Sequence, residues 1–520
     1  MYNQGLFKSW VPKLGMLLLI LLLLVVILLA NPVYTGNIGQ MVSSTGLMSE
    51  HFLWANYAGT IGMSVAIPLV MRLKSRFRSK ELMIASLLIM ALGTFVIATT
   101  QVAEVVIAAG FLFGAAKMVA MIEVIIPTMF IISPTGDRGK FYPIFYPLVI
   151  ILAQLGGILA SNLSLVMTWQ MIHIYSAGIL MLVSMLCVIV MHNQRFARKM
   201  PFYQIDWLSI GLFTTSLMSL AYVLTFGKQQ AWFVSDTISY SLVLSVLTMG
   251  WLVFRQSGKK RPYISFKLFR QGNVQAGMIL LTALGMFMAA GSVVSIYTNA
   301  VLGYNWMINA SLGLMSIPGM IVGGFVAFGW MKHKLPLKMY IFSGFGAYIL
   351  YLVVLYFMMV PGLNIESFYL PQLLNGYGMS TLFISVWIFT LDKIPMKDML
   401  PSVGLVMVFR SFVATALFGA IFSWLHYKLQ WQSVNNLAVY FDANLMSSNP
   451  GLGNYRGVQL SAILAANKTL LGYIIITGIG VLGFILFHQF GSLKYKVARY
   501  NFHRSERIIK KEKKKVLEIR

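Results

Sequence analysis

Charged residues are scarce in this sequence, and acidic residues are the scarcest of them. Asp and Glu number 14 in 520 residues, and charged residues of both signs make up 10% of the chain, against about 25% in soluble domains. Hydrophobic residues make up 58%. A chain of this length with so little polar surface cannot cover a water-soluble fold, so the composition predicts a membrane protein.

Cysteine and the common catalytic motifs are also lacking. The one cysteine, Cys187, lies in an apolar run, which excludes a disulfide framework and a cysteine-based metal site. The phosphate-binding pattern G-x-x-x-x-G-K-[ST] does not occur, nor do H-E-x-x-H and G-x-S-x-G. We therefore expect no enzyme activity, no direct use of ATP, no metal and no cofactor.

Apolar segments long enough to cross a bilayer, about 20 residues each, recur fourteen times. They lie at 14–33, 53–71, 82–101, 105–132, 142–163, 169–191, 208–226, 237–254, 274–297, 307–330, 339–360, 368–390, 401–426 and 470–490. The pattern predicts an all-α polytopic protein of the cell membrane.

The distribution of cations supports this count and gives the orientation. The net charge is +26, and cytoplasmic loops of membrane proteins are enriched in Lys and Arg. With the N-terminus in the cytoplasm, most cations fall in inner segments, and the outer loops hold only Lys228, Lys428, Arg456 and Lys468. We therefore expect both termini in the cytoplasm, and cations that set orientation and contact lipid rather than bind nucleic acid.

A short internal repeat divides the chain into halves. The loop at 71–80, with Lys74, Arg76 and Lys80, is matched 258 residues later by a loop with cations at the same three positions. Both loops follow the second helix of a six-helix group. Two six-helix halves around a cavity are a common transporter architecture.

The predicted domains follow from this division. They are an N-terminal six-helix bundle at 1–200, a two-helix insert with linkers at 201–272, a C-terminal six-helix bundle at 273–490 and a basic cytoplasmic tail at 491–520. A long outer loop is predicted at 427–469, either a tolerated insertion or a docking site for a partner. The tail is expected to contact anionic lipid.

Three ionisable residues lie inside the predicted spans: Lys117, Glu123 and Arg410. An ionisable side chain at this depth costs about 2.5 to 3.5 kcal/mol on insertion scales, which makes each a functional candidate. Lys117 and Glu123 are six residues apart, so they do not share a helix face as i,i+4 neighbours would. Each needs a partner on another helix or a hydrated cavity.

Several segments together resemble a known family. They are Asp206-Trp207, the stretch from Gly227 to Phe233, Arg261-Pro262, Leu268 to Arg270, Tyr297, Val301 to Tyr304, Pro318-Gly319 and Arg410. This pattern is similar to the fourteen-helix drug:proton antiporters of the major facilitator superfamily, the EmrB/QacA type. The chain departs from that family where Gly110 and Asn375 replace arginines, and where Asn31 lies nearest to a missing first-helix acid.

The resemblance implies a major facilitator fold with fourteen helices arranged as 6+2+6. In that fold the fourth helix lines a central cavity, which places Glu123 there as the candidate proton-coupling residue. The alternative is a static ion pair, with Lys117 or with a basic residue near the inner surface. Arg410 and Lys117 are candidates for gating or for pairing at the bundle interface, and snorkelling to the surface is the alternative for Arg410.

Polar side chains within the spans are candidates for the substrate cavity. They are Gln154, Tyr297 and Asn375, and packing between helices is the alternative role for Gln154 and Asn375. His173, near a predicted helix end, is expected to be a hydrogen-bonded structural residue.

Three functions fit these observations. The first is a proton-driven exporter of amphiphilic or toxic small molecules that works by alternating access. The second is a metabolite transporter with different or no proton coupling, which the missing first-helix acid favours. The third is a transport-incompetent scaffold or sensor. In a Gram-negative cell the resemblance further implies an inner-membrane location, with a periplasmic adaptor and an outer-membrane channel as partners.

Overall fold

A computed structural model describes residues 6–133, 138–193, 205–259, 262–392, 394, 399–443, 452–488 and 490. These residues form sixteen α-helices. In chain order they are α1 (Lys13–Leu29), α2 (Ile38–Thr45), α3 (Ser49–Arg76), α4 (Ser79–Thr99), α5 (Ala103–Ile132), α6 (Arg138–Leu163), α7 (Trp169–Val190), α8 (Trp207–Phe226), α9 (Asp236–Ser257), α10 (Gly272–Ile296), α11 (Trp306–Lys332), α12 (Leu337–Met358), α13 (Tyr369–Thr390), α14 (Met399–Val408), α15 (Thr415–Ala443) and α16 (Leu452–Phe487). The predicted tail at 491–520 lies outside the described residues.

Thirteen helices in the described ranges are long and apolar enough to cross a membrane. Helices satisfy their own backbone hydrogen bonds, which lipid cannot do for them. α14 and α15 belong to one such span because a π-helical turn, Phe409–Ala414, joins them. α1, at 17 residues, is shorter than these spans and ends before the Asn31-Pro32 step. The chain is a multi-pass membrane protein.

The helices pack around two large apolar cores. Buried side chains of α1 and of α3 to α7 form one core, and those of α10 to α16 form the other. The helices around these cores are called the first and the second bundle. A third, smaller cluster joins α8 and α9 to α3 and to the π-helical turn at Phe409–Ala414. The two insert helices therefore pack against the side of the larger assembly.

Glycine allows the closest helix contacts in both cores. A Cβ atom on Gly114 of α5 would lie 1.8 Å from the carbonyl oxygen of Gly59 in α3. A Cβ atom on Gly376 of α13 would lie 1.9 Å from the carbonyl oxygen of Ser316 in α11. Small residues thus bring helix backbones together in both cores, α3 with α5 in one and α11 with α13 in the other.

The segment at 427–469, predicted as a long outer loop, is helical over its described part. α15 runs to Ala443 and α16 begins at Leu452. The sequence contains no glycine or proline between 420 and 449, so nothing ends α15 where the apolar run ends. At 36 residues, α16 is about 54 Å long, well beyond a hydrocarbon core of about 30 Å. α15 and α16 therefore extend past the bilayer as helices.

Candidate functional site

Glu123 and Lys74 form a buried ion pair between α5 and α3. Lys74 Nζ lies 3.2 Å from Glu123 Oε2, and each side chain is at most 1% exposed. Two static ion pairs were considered for Glu123. The structure contains the pair with a basic residue of the 71–80 segment and does not contain the pair with Lys117. Lys74 therefore belongs to the first bundle's interior, two residues before α3 ends at Arg76.

The helices that carry this pair also make a close backbone contact. α3 and α5 touch at Gly59 and Gly114, and the ion pair lies further along both helices. Removing one partner of a buried pair leaves an uncompensated charge, which costs about 3 to 5 kcal/mol. The pair is thus a strong link between α3 and α5 as long as both groups are ionised.

Lys117 forms hydrogen bonds with the end of α1, within the first bundle. Its Nζ donates to the carbonyl oxygens of Ala30 at 2.7 Å and Leu28 at 3.4 Å, and to Asn31 Oδ1 at 2.9 Å. The last carbonyls of a helix lack intrahelical partners and carry partial negative charge, which a buried ammonium satisfies. Lys117 therefore joins α5 to the end of α1, and its role in gating or at the bundle interface stays a prediction.

Arg410 lies on the π-helical turn, where it is 9% exposed. Its guanidinium carbon is 4.3 Å from the centre of the Phe383 ring and 5.0 Å from that of Trp387. The Trp387 ring meets the ring of Tyr146, on α6 of the first bundle, edge to face at 5.9 Å. These aromatic contacts keep Arg410 inside the protein near the boundary of the two bundles and exclude snorkelling in this structure.

The two bundles meet along α6 and α11. Gln154 Nε2 donates to the carbonyl oxygen of Gly313 at 2.8 Å and to Ser316 Oγ at 3.1 Å. Further along, a Cβ atom on Gly324 would lie 2.8 Å from the Pro147 ring. Gln154 therefore bonds one bundle to the other, so the interhelical role fits this geometry and the cavity role does not.

Tyr297 and Asn375 are also engaged within the protein. Tyr297 is fully buried; its hydroxyl donates to the carbonyl oxygen of Val360 at 2.7 Å and accepts from the Val360 amide at 3.2 Å. Tyr297 therefore fixes the segment after α12 in this structure, and its cavity role stays a prediction. Asn375 is half-buried, and its Nδ2 donates to Gln372 Oε1 at 3.1 Å, one turn away.

The remaining predicted polar residues have structural contacts. Lys80 Nζ donates to the carbonyl oxygen of Val188 near the end of α7, at 2.5 Å. Arg76 is the last residue of α3. The ring nitrogens of His173 lie 3.0 Å and 3.2 Å from the carbonyl oxygens of Trp169 and Pro32, as expected for a structural histidine. Among the described residues, no group of three or more His, Cys, Asp or Glu could hold a metal ion.

Comparison with known proteins agrees with this architecture. No protein-family model matches the chain. It is 22% identical to the multidrug export protein EmrB of Haemophilus influenzae, over 88% of this chain and 90% of that protein. It is 21% identical to the probable multidrug resistance protein EmrY of Escherichia coli, over 67% of this chain and 68% of that one.

Solved structures share the fold. A peptide transporter of the POT family aligns with a TM-score of 0.52 at 13% identity, covering 91% of this chain and 97% of that one. The nucleoside transporter NupG aligns with a TM-score of 0.51 at 12% identity, covering 91% of this chain and 99% of that one. The chain is a membrane transporter that is similar in sequence to multidrug export proteins and shares its fold with these solved transporters.

The transporter's two-helix insert is held at one end by a single carboxylate. Asp206 caps α8 and accepts hydrogen bonds from Ser209 Oγ at 2.6 Å, Arg255 Nη2 at 3.1 Å and Gln256 Nε2 at 3.2 Å, and also from Lys259 Nζ. Burial raises the pKa of Asp206, but the hydrogen bonds from Lys259, Ser209, Arg255 and Gln256 outweigh it and hold the pKa well below its ordinary range. The ionised carboxylate therefore joins α8 to α9.

We expect Asp206→Asn to lower the stability of the transporter by about 2 kcal/mol, because charge-assisted hydrogen bonds are lost. A lowered folded-state pKa gives stability that is present above the unfolded value, about 3.9, and is lost as pH falls through the folded value. The difference in Tm between the two proteins should thus be constant from about pH 8 to pH 5 and shrink below about pH 4. Thermal unfolding in detergent tests this, and a constant difference down to pH 3 would contradict it.

Proposed function

We propose that the transporter is a secondary active exporter of amphiphilic small molecules, driven by proton entry. Its membrane helices are arranged as 6+2+6, with α1 as the first of fourteen and both termini in the cytoplasm. The relatives named as multidrug export and resistance proteins support export of such molecules. Two separate apolar cores joined along α6 and α11 support alternating access by rocking of one bundle against the other.

The buried pair of Glu123 and Lys74 is the observation that carries proton coupling. A protonated Glu123 no longer neutralises Lys74, so the buried lysine loses its ion pair with α5. The protein relieves this by moving α3 relative to α5 until water reaches the lysine. Protonation at one membrane face and release at the other would then couple proton entry to the change of access.

A second function, transport without proton coupling, has one observation in its favour. The first-helix acid of the related antiporters has no counterpart here, and the nearest residue, Asn31, is occupied by Lys117. A metabolite transporter that works by facilitated diffusion needs no titrating group in α1. Under this alternative, Glu123 and Lys74 are a static pair.

Partner proteins are a separate part of the proposal. The extension of α15 and α16 past the bilayer offers a rigid surface to a periplasmic adaptor, which would connect the transporter to an outer-membrane channel. It is also the feature on which a scaffold or sensor without transport activity would depend. Flux measurements separate this last function from the other two.

Purified protein in liposomes tests the proposal directly. Pyranine trapped inside reports proton movement after an amphiphilic dye is added outside, across an imposed pH gradient. Proton-coupled export gives dye movement against its gradient together with proton movement in the opposite direction. Dye movement that ignores the pH gradient would support uncoupled transport, and dye binding with no movement would support a scaffold.

A further inference from the structure

The buried charges of the described spans are unbalanced. Four Lys, Arg, Asp or Glu residues are buried there: Lys74, Lys117, Glu123 and Arg410. Glu123 neutralises Lys74, and Lys117 is satisfied by neutral oxygen atoms. In the part of the chain that the structure describes, no Asp or Glu forms a salt bridge with Arg410. The described interior therefore carries an excess of positive charge. Lys117 and Arg410 both lack an acidic partner there, but three oxygen atoms accept hydrogen bonds from Lys117, so Arg410 is the less well satisfied of the two.

Arg410 also has unused hydrogen-bonding capacity. Its Nε donates to Ser411 Oγ at 3.4 Å, whereas its buried Nη1 has no hydrogen-bond partner among the described residues. A guanidinium has five N–H donors in a fixed plane. Leaving a buried donor of a charged group unpaired is destabilising, so this arrangement indicates a site that is completed by something else.

Aromatic rings surround the unpaired nitrogen. Phe383 and Trp387 contact the guanidinium from α13, and Tyr146 of α6 contacts Trp387 and interacts electrostatically with Arg410. A guanidinium binds a carboxylate or sulfonate through two parallel hydrogen bonds, and aromatic side chains bury large apolar groups. Arg410 can thus bind an anionic group, and the aromatic rings beside it can pack against an apolar group of the same molecule.

We propose that the transported substrate is an anionic amphiphile, whose carboxylate or related oxyanion is bound by Arg410 and whose apolar part packs against Phe383, Trp387 and Tyr146. This inference rests on the proposed transport function. The site lies where α13 faces α6, so rocking of the bundles opens it to the ligand. An anion on Arg410 supplies the counter-charge that the protein lacks.

Equilibrium dialysis of the full-length protein in detergent tests the inference with three ligands of one shape. They are radiolabelled 2-naphthoate, the neutral 2-naphthamide and the cationic 2-naphthylmethylammonium. We expect 2-naphthoate to bind at least tenfold more tightly than the other two. Arg410→Gln should remove this preference. Arg410→Lys should retain part of it, because an ammonium keeps the positive charge but cannot form the two parallel hydrogen bonds of a guanidinium.

Two further variants separate a local effect from a general one. Arg270→Gln removes an exposed cation in the short helix Phe266–Arg270 and should leave 2-naphthoate binding unchanged. Phe383→Leu keeps the guanidinium and should weaken all three ligands while preserving the preference for the anion. Equal binding of 2-naphthoate to wild type and to folded Arg410→Gln would overturn the inference, as would a preference for the ammonium ligand.

Flux assays distinguish failure of this inference from failure of the transport proposal. Binding that depends on Arg410, with no movement of 2-naphthoate in liposomes, would overturn transport of the anion and leave an anion-binding site. A different result would overturn the anion site and leave transport intact. In that case the Arg410→Gln variant would transport 2-naphthylmethylammonium at the wild-type rate, and the wild-type protein would not transport 2-naphthoate.

Discussion

We expect Glu123→Gln to abolish proton-driven transport and the addition of Lys74→Met not to restore it. The single substitution breaks the buried ion pair between Lys74 and Glu123, at a cost of about 3 to 5 kcal/mol. The double variant removes both charges and should recover most of that stability, since an apolar replacement of a buried pair is often neutral. It still lacks a group that can carry the proton. Thermal unfolding and pyranine-monitored flux measure the two effects separately.

The double variant distinguishes a proton-coupling role of Glu123, called the switch below, from a static ion pair with Lys74. If the pair only holds α3 to α5, the double variant should transport at close to the wild-type rate and with the wild-type pH dependence. If Glu123 is the switch, the protein should be folded and any remaining flux should ignore the pH gradient. A folded Glu123→Gln single variant with intact proton-driven transport would also rule out the switch.

Gly114→Ala disrupts the first bundle, whereas Gly178→Ala does not. The new Cβ atom at 114 would lie 1.8 Å from the carbonyl oxygen of Gly59, and α3 and α5 must separate to admit it. We expect a loss near the upper end of overpacking effects, about 3 kcal/mol. The matched control, Gly178 in α7, has nothing within 4 Å of the same atom. There alanine should be neutral or stabilising by up to about 1 kcal/mol.

The elution profile and Tm of the two alanine variants measure this difference. Gly376→Ala in α13 provides an independent repeat in the second bundle, because its Cβ atom would lie 1.9 Å from the carbonyl oxygen of Ser316. Equal Tm values for the variants at 114 and 178 would show that α3 and α5 do not approach as closely as described.

The helical class and most spans could be predicted because apolar length alone determines them. Residue pairing could not be predicted in the same way. Lys74 and Glu123 are 49 positions apart, and their contact depends on how α3 and α5 rotate about their axes, which hydropathy does not report. The short distance in sequence between Lys117 and Glu123 suggested a pair that the geometry excludes. A useful signal was present in Lys74 itself, a cation that follows an apolar helix without a break.

Other differences have similar physical causes. Hydropathy locates the membrane boundary of α15 but not its end, because the helix continues through polar residues up to Ala443. The π-helical turn that presents Arg410 leaves no pattern in side-chain spacing. The sequence also does not show that the Tyr297 hydroxyl reaches the backbone of Val360.

The helical extension of α15 has a mechanical consequence. α15 begins at Thr415, directly after the turn that holds Arg410, and Trp431 lies 16 residues further along the same helix. The exposed Trp431 is thus about 24 Å from the start of α15, on a rigid helix that continues to Ala443. A tilt of about 10° at the Arg410 turn displaces Trp431 by about 4 Å. A fluorescent probe at position 431 would therefore report, from outside the bilayer, the angle that the second bundle adopts at each stage of the cycle.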